Sequence, residues 1–174
     1  ADIWEDRPAL SKEPVWELGL QYAGEDRASK LGRIREAMKG AGADCHILTT
    51  LDDICWTLNI RGNDIEFFPL VLSYAVVRED RMDLYADASK FSGELREELE
   101  RDGVVFHPYN DIYEDVKALD EGATVLIDPA RLNYSLWKNI PEKTGKVEMR
   151  NPEILFKAVK NPTEIANIRK AQLK

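Results

Sequence analysis

The chain has 174 residues, of which 44% are hydrophobic and 32% charged, and its formal net charge is −8. These values fit one globular domain with a sizeable core. The acidic excess argues against a nucleic-acid partner, because such affinity comes largely from Lys and Arg that neutralise phosphates. No run approaches the roughly 18 to 20 apolar residues that cross a bilayer, and the first residues lack a basic region followed by an apolar run. We therefore expect no membrane partner and a cytoplasmic protein.

The first half of the chain mixes helical and strand patterns. The opening, residues 1–24, is rich in proline and aromatic residues without periodicity, which predicts an extended linker along a surface. Apolar residues at helical spacing, followed by two glycines, predict a helix over residues 26–39. Apolar and β-branched runs then predict three strands buried on both faces: 45–50, 55–60 and 70–77. Residues 81–86 alternate in strand fashion and are predicted to form a hairpin with the strand before them.

The second half continues this alternation, with capping residues at the expected helix starts. Its predicted elements are a helix over 92–102, a strand over 104–106, a helix over 110–121, a strand over 124–127, a short helix over 132–140 and brief extended pieces at 147–149 and 154–159. Asn161, Pro162 and Glu164 then form a strong helix-start signal. Strands alternating with helices predict an α/β fold with a mixed central sheet flanked by helices.

The polar stretch from Asn59 to Asp64 is the leading candidate for function. It appears as a short loop between two buried strands, and loops at strand ends are where open α/β sheets place ligands. Arg61 is suited to the carboxylate or carbonyl end of a peptide, and Gly62 to close backbone approach. The structural alternative is that Arg61 pairs with Asp64 or Asp53 and only fixes the loop.

Other candidates have a stronger structural explanation. Trp56 is interpreted as core rather than as the wall of a substrate passage, and Asp52 and Asp53 as a helix cap or turn. His46 lies in an apolar run and is expected to be a hydrogen-bonded interior residue. His107, before a proline, is kept as a second candidate for facing substrate.

The two cysteines, Cys45 and Cys55, lie in apolar segments and match no zinc spacing, so we expect free, buried thiols. A disulfide is not expected in a reducing cytosol.

The central stretch of the chain reads Leu-Asp-Asp-Ile-Cys-Trp-Thr-Leu-Asn-Ile-Arg-Gly-Asn-Asp-Ile over residues 51–65, followed by Pro69 and the strand at 72–76. This stretch resembles the corresponding part of the long, three-domain Xaa-Pro aminopeptidases. Residues 157–171 resemble the lead-in to the catalytic domain of that family, and residues 4–8 and 22–24 its junction after the first domain.

The resemblance implies a creatinase/prolidase N-terminal-like domain with a ribonuclease H-like motif. It divides the chain into residues 1–24, a linker from a first domain; 25–160, the α/β domain; and 161–174, the first helix toward a catalytic domain. In the family, that "pita-bread" catalytic domain binds two divalent metals, usually manganese, through two Asp, one His and two Glu. It removes an N-terminal residue that precedes proline.

None of those metal ligands is assignable in this sequence, so no catalytic and no metal-binding residue is predicted in it. The resemblance instead implies a non-catalytic domain that shapes substrate access, contacts the first and catalytic domains and joins a homodimer. Its candidate residues for substrate access are Arg61, Asn59, Gly62, Asp64, Trp56 and His107.

Two alternatives remain open. One is a non-enzymatic peptide- or protein-binding module that keeps the aminopeptidase fold, as in the large subunit of the FACT histone chaperone. The other is a prolidase or creatinase relative, against which the long junction before residue 25 argues.

Overall fold

The computed structural model describes residues 6–173. Within them the strands are β1 (Trp16–Glu17), β2 (Cys45–Leu48), β3 (Ile60–Arg61), β4 (Tyr74–Arg78), β5 (Met82–Tyr85), β6 (Val104–His107), β7 (Thr124–Ile127) and β8 (Gly145–Glu148). The helices are α1 (Leu20–Ala23), α2 (Arg27–Ala41), α3 (Leu51–Thr57), α4 (Gly93–Arg101), α5 (Ile112–Lys117), α6 (Tyr134–Asn139), α7 (Pro152–Ala158) and α8 (Pro162–Gln172).

The main sheet has six strands in the order β6-β5-β4-β2-β7-β8. Strand β4 runs antiparallel to both of its neighbours, β2 and β5, whereas β6, β7 and β8 each run parallel to the strand beside them. The sheet is therefore mixed, as predicted. Strands β1 and β3 form a separate two-stranded antiparallel ribbon.

Helices cover both faces of the main sheet, because side chains on successive strand residues point to opposite faces. One hydrophobic core lies between the sheet and helices α2, α3 and α4, and contains Ile34, Ile54 and Leu99. The other lies beneath α5 and α6 and contains Val116 and Leu136. The predicted α/β architecture with flanking helices is confirmed.

The predicted helix signals also act as expected. Asp26 caps α2 by accepting a hydrogen bond from the Ser29 backbone N–H, and Ser92 caps α4 in the same way. Asn161 and Glu164 form a capping box at the start of α8, in which each side chain accepts from the other residue's backbone N–H.

Two predicted extended segments are wrong. Residues 55–57 end helix α3 and only Ile60 of the predicted strand 55–60 is in a strand, whereas residues 154–158 lie in helix α7. A short run that is buried all round has the same composition in a strand and in a buried helix, and residues 53–60 are all buried. The second case carried a readable signal, since Asn151-Pro152 repeats the helix start at Asn161-Pro162.

The opening segment is only partly the expected surface linker. Residues 6–14 are largely exposed, but Val15 is buried in the core and its backbone N–H bonds to Lys90 O at 2.9 Å. Strand β1 then pairs with β3, and helix α1 follows. Residues 15–24 are thus integrated into the domain; residues 1–5 lie outside the described residues.

None of the helices in residues 6–173 is both long enough and apolar enough to span a membrane.

Candidate functional site

The polar stretch 59–64 begins at a sharp corner between helix α3 and strand β3. Asn59 adopts a left-handed conformation with φ of 51°, which short polar side chains tolerate better than most. The corner lets Ile60 and Arg61 pair with β1. The expected loop between two strands is therefore a helix-to-strand corner, and this expectation is corrected.

A buried lysine holds this corner. Lys30 on helix α2 is 2% exposed, and its Nζ donates to Asn59 Oδ1 at 2.6 Å and to Trp56 O at 2.8 Å. The same Nζ lies 4.4 Å from the centroid of the Trp56 ring, within cation–π range. Asn59 completes its hydrogen bonding by donating through Nδ2 to Glu25 O at 2.9 Å. The Asn59 side chain therefore has hydrogen-bond partners at both its oxygen and its nitrogen.

Burial lowers the pKa of Lys30 to about 8. Glu25 and Glu164 oppose this decrease, whereas Arg61 and Arg33 add to it. The charged form of a buried amine loses hydration, so its proton is released at a lower pH than in water. Lys30 therefore loses its proton at a mildly alkaline pH, well below the pH at which an exposed lysine does.

Arg61 faces the carbonyl end of helix α3. Its Nη1 donates to Cys55 O at 3.1 Å and to Ile60 O at 2.7 Å, a favourable arrangement for a cation at a helix C-terminus. Burial lowers the pKa of Arg61 and Glu164 raises it, but an arginine stays protonated at physiological pH. Among the described residues, no hydrogen-bond acceptor is assigned to its Nη2 or Nε. The partly exposed guanidinium thus keeps donors for another molecule.

Asp64 has a different environment from Arg61. Its carboxylate pairs with Lys90, both side chains being almost fully buried, and it accepts a hydrogen bond from the Leu72 backbone N–H at 2.6 Å. Neither Asp64 nor Asp53 pairs with Arg61, so the simple structural alternative for Arg61 does not hold. Asp64 anchors the following loop to the core.

Gly62 is buried and packs closely against its own chain. A Cβ at this position would lie 3.0 Å from Val71 Cγ2 and 3.3 Å from Leu70 O. The absence of a side chain therefore allows the loop to close on itself. Trp56 is 8% exposed and lies beneath Lys30, which confirms it as core.

Asp52 and Asp53 lie in the first turn of α3, where the helix dipole favours negative charge. Both pair with Lys157 of α7, and Asp53 also accepts from Asn151 Nδ2 at 3.0 Å. Burial raises the pKa of Asp52, but Lys157 outweighs it and the net shift is downward. Thr50 occupies the cap position itself, so the two acids support the helix start and join α3 to α7.

His107 belongs to another cluster, at the edge of the main sheet. Its Nε2 lies 3.2 Å from Asp83 Oδ1, and its ring stacks on Tyr85 with 4.9 Å between centroids. Arg78 and Arg81 donate to the same Asp83 carboxylate. Burial raises the pKa of Asp83, but these cationic partners bring it below its ordinary value. The structure does not join His107 to the hydrogen-bond network of Arg61.

His46 is fully buried, as expected. Its Nδ1 donates to Leu126 O at 3.0 Å, and its Nε2 lies 3.3 Å from Glu153 Oε2. The cysteines Cys45 and Cys55 are free and buried, and burial raises the pKa of each thiol to about 11. These groups belong to the core.

Lys30 is the residue that sequence reasoning missed. A signal was present, because Lys30 precedes Ile34 by four residues and Met38 by eight, which places it beside the apolar stripe of α2. Such a lysine is normally taken as a solvated neighbour of the stripe.

Residues 6–173 do not fit the dinuclear metal site that the resemblance implies for a catalytic domain. The described residues contain no group of three or more His, Cys, Asp or Glu side chains placed to hold a metal ion. Asn59, Gly62, Asp64 and Trp56 are bonded or packed within the domain, and His107 belongs to another cluster. Arg61 is therefore the candidate that keeps unbonded donors at a partly exposed position.

Comparison with known proteins matches the chain to one domain family. Residues 6–164 match the family described as "Creatinase/Prolidase N-terminal domain". The chain is 34% identical to "Probable Xaa-Pro aminopeptidase P" of Sordaria macrospora, over 99% of this chain and 30% of that protein. It is 35% identical to "Xaa-Pro aminopeptidase 1" of Dictyostelium discoideum, over 98% of this chain and 27% of that protein.

Solved structures show the same relationship. The X-prolyl aminopeptidase of Caenorhabditis elegans, described as a cytosolic enzyme with a di-nuclear active site, superposes with a TM-score of 0.89 and 31% identity. The match covers 97% of this chain and 28% of that enzyme. An Xaa-Pro dipeptidase from Bacillus anthracis shares the fold at a TM-score of 0.57 and 19% identity. The chain thus spans less than a third of the length of its curated relatives.

Proposed function

Because the chain belongs to the creatinase/prolidase N-terminal domain family and matches the N-terminal region of Xaa-Pro aminopeptidases, we propose that it is a non-catalytic domain of such an enzyme. In this proposal it shapes the access of a peptide with proline at its second position. The full-length protein would remove the residue before that proline.

The proposal rests on the hydrogen bonding of the Arg61 guanidinium, which is bonded through only one of its nitrogen atoms among the described residues. Its Nη1 is engaged with helix α3, and its Nη2 and Nε are assigned no acceptor among the described residues. A guanidinium presents donors in a fixed plane and suits a carboxylate or carbonyl of a peptide. We propose that Arg61 binds the carboxyl-terminal part of the peptide substrate.

The remaining features of the full-length protein follow from the family. Two divalent metal ions, manganese by the resemblance, would be held by residues outside this chain. The neighbouring first and catalytic domains and a second copy of the protein would be its partners. A cytoplasmic location is supported by the description of the C. elegans enzyme as cytosolic.

The test is Arg61→Ala in the full-length protein, with release of the first residue from an Xaa-Pro peptide as readout. Losing a charged hydrogen bond of about 1.5 to 3 kcal/mol should lower kcat/KM by roughly 10- to 160-fold. Arg96→Ala is the matched control, because Arg96 is an exposed arginine that pairs with Glu100 and lies over the Phe106 ring, outside the hydrogen-bond network of Arg61. Equal kinetics for the two variants would exclude a substrate role for Arg61.

Peptides with a free or an amidated C-terminus sharpen this result. If Arg61 binds the carboxylate, the wild-type preference for the free acid disappears in Arg61→Ala.

The 174-residue chain alone is expected to release no residue from the same peptide. A full-length protein that binds such peptides without cleaving them would favour the alternative of a binding module.

A further inference from the structure

Lys30 is more completely enclosed than a lysine on an amphipathic helix needs to be. Its ammonium group is removed from water, at a cost that a methionine of similar length would not incur. Both of its hydrogen-bond acceptors, Trp56 O and Asn59 Oδ1, belong to the corner between α3 and β3. The charge is therefore directed at the corner rather than at the packing of α2.

The corner determines where Arg61 lies. Asn59 is held in its left-handed conformation from two sides, by Lys30 at Oδ1 and by Glu25 O at Nδ2. Arg61 follows two residues later, and its Nη1 bonds to Cys55 O in the helix that ends at this corner. A change in the Asn59 conformation would rotate the start of β3 and redirect the guanidinium.

We propose that Lys30 is a positioning residue for substrate binding, which holds the Asn59 corner so that Arg61 presents its unused donors to the peptide. This inference rests on the proposed function of Arg61 and assigns the role to the charged form of Lys30. A neutral amine keeps two N–H donors for Trp56 O and Asn59 Oδ1. It loses the positive charge that strengthens both hydrogen bonds and attracts the Trp56 ring, so the corner loosens when Lys30 loses its proton.

Charged groups from four parts of the chain set the pH at which this happens. Glu25 precedes α2 and Glu164 lies in α8, and both favour the proton; Arg33 of α2 and Arg61 of β3 disfavour it. Burial is the largest influence and brings the pKa of Lys30 to about 8. Binding through Arg61 is therefore expected to weaken as the pH rises through this value.

The experiment uses the full-length protein and steady-state cleavage of an Xaa-Pro peptide between pH 6.5 and 9.5. We expect Lys30→Met to raise KM about 3- to 10-fold with kcat nearly unchanged, because a binding contact common to ground and transition states is weakened. It should also remove the decrease in kcat/KM that we expect for the wild type as the pH rises through about 8. Lys39→Met, an exposed lysine of the same helix, is the control and should keep both wild-type features.

A double-mutant cycle separates positioning from a general effect on folding. If Lys30 acts through Arg61, Lys30→Met combined with Arg61→Ala is no worse than Arg61→Ala alone. Additive losses in the double variant would overturn the proposal.

The outcomes also separate this inference from the proposed function. An active enzyme in which Arg61→Ala matches its control refutes the role of Arg61. An impaired Arg61→Ala beside a Lys30→Met variant with wild-type KM and pH profile refutes the role of Lys30 alone. If Lys30→Met does not fold, the pH profile of kcat/KM for Arg61→Ala tests the proposal instead. We expect this profile to lack the alkaline decrease near pH 8, and an alkaline decrease that remains in Arg61→Ala would overturn the proposal.

Discussion

Arg61 and Asp64 are charged residues three positions apart in one short segment, and the fold places them in opposite situations. Asp64 is enclosed with Lys90 and has a second bond from the Leu72 backbone. Arg61 is bonded on one side only and stays partly exposed. The comparison teaches that charged residues in one motif can serve either stability or binding. Each of these two has two internal partners, and the burial of the side chain distinguishes them.

The strongest test of this division is to break the Asp64–Lys90 pair. Asp64→Ala leaves the Lys90 ammonium buried without its partner, and we expect a loss of about 3 to 5 kcal/mol in the free energy of unfolding. Urea denaturation of the 174-residue chain measures it. Glu121→Ala, which breaks the exposed pair with Lys143, should cost at most about 1 kcal/mol. Similar losses for both variants would contradict the anchoring role of Asp64.

The burial of Lys30 should make the free energy of unfolding depend on pH. The pKa of Lys30 is lowered from 10.5 to about 8 in the folded protein, so the unfolded chain keeps the proton to a higher pH. The free energy of unfolding should therefore rise between about pH 8 and 10.5, by roughly 1 to 3 kcal/mol relative to Lys30→Met. Denaturation series at several pH values check this, with Lys39→Met as the control. Parallel curves for wild type and Lys30→Met would show that the lysine is not buried as described.

Gly62 should show a smaller, steric effect. Gly62→Ala brings a methyl group to 3.0 Å from Val71 Cγ2, and Val71 is fully buried and cannot easily move. We expect a loss of about 1 to 2 kcal/mol in unfolding free energy. Gly32→Ala is the matched control, because nothing lies within 4 Å of its added Cβ in helix α2, and it should stabilise by up to about 1 kcal/mol. If Gly62→Ala were as stable as wild type, the loop would have room for the added methyl group, which would contradict its close packing on Val71.

The smallest effect is expected at a surface ion pair. Glu100→Ala removes the exposed contact with Arg96, four residues earlier in α4, and leaves Arg96 over the Phe106 ring. It should change the free energy of unfolding by about 0.5 kcal/mol or less. Thermal unfolding at low and high salt measures the change. A larger loss would mean that exposure does not separate stabilising from dispensable charges in this domain.

The candidate segment was found from the sequence, but the contacts of its residues were not. Arg61 and its neighbours were identified through a family resemblance and a concentration of polar groups. The pairing of Arg61 with Asp64 or Asp53, which the sequence left open, does not occur. The strand over 55–60 was wrong because a run that is buried all round has no periodicity to separate helix from strand.

Signals that are local in the chain sufficed for much of the fold. The caps at Asp26, Ser92 and Asn161, the alternation of strands with helices and the hairpin of β4 and β5 were all readable, because each depends on residues a few positions apart.

The tertiary structure alone decided which charges are enclosed. Lys30 meets Asn59 across 29 residues and Lys90 meets Asp64 across 26, and no local pattern specifies such partners. Burial then depends on how the helices pack on the sheet, and it determines whether a charged group titrates normally, anchors a loop or remains free to bind.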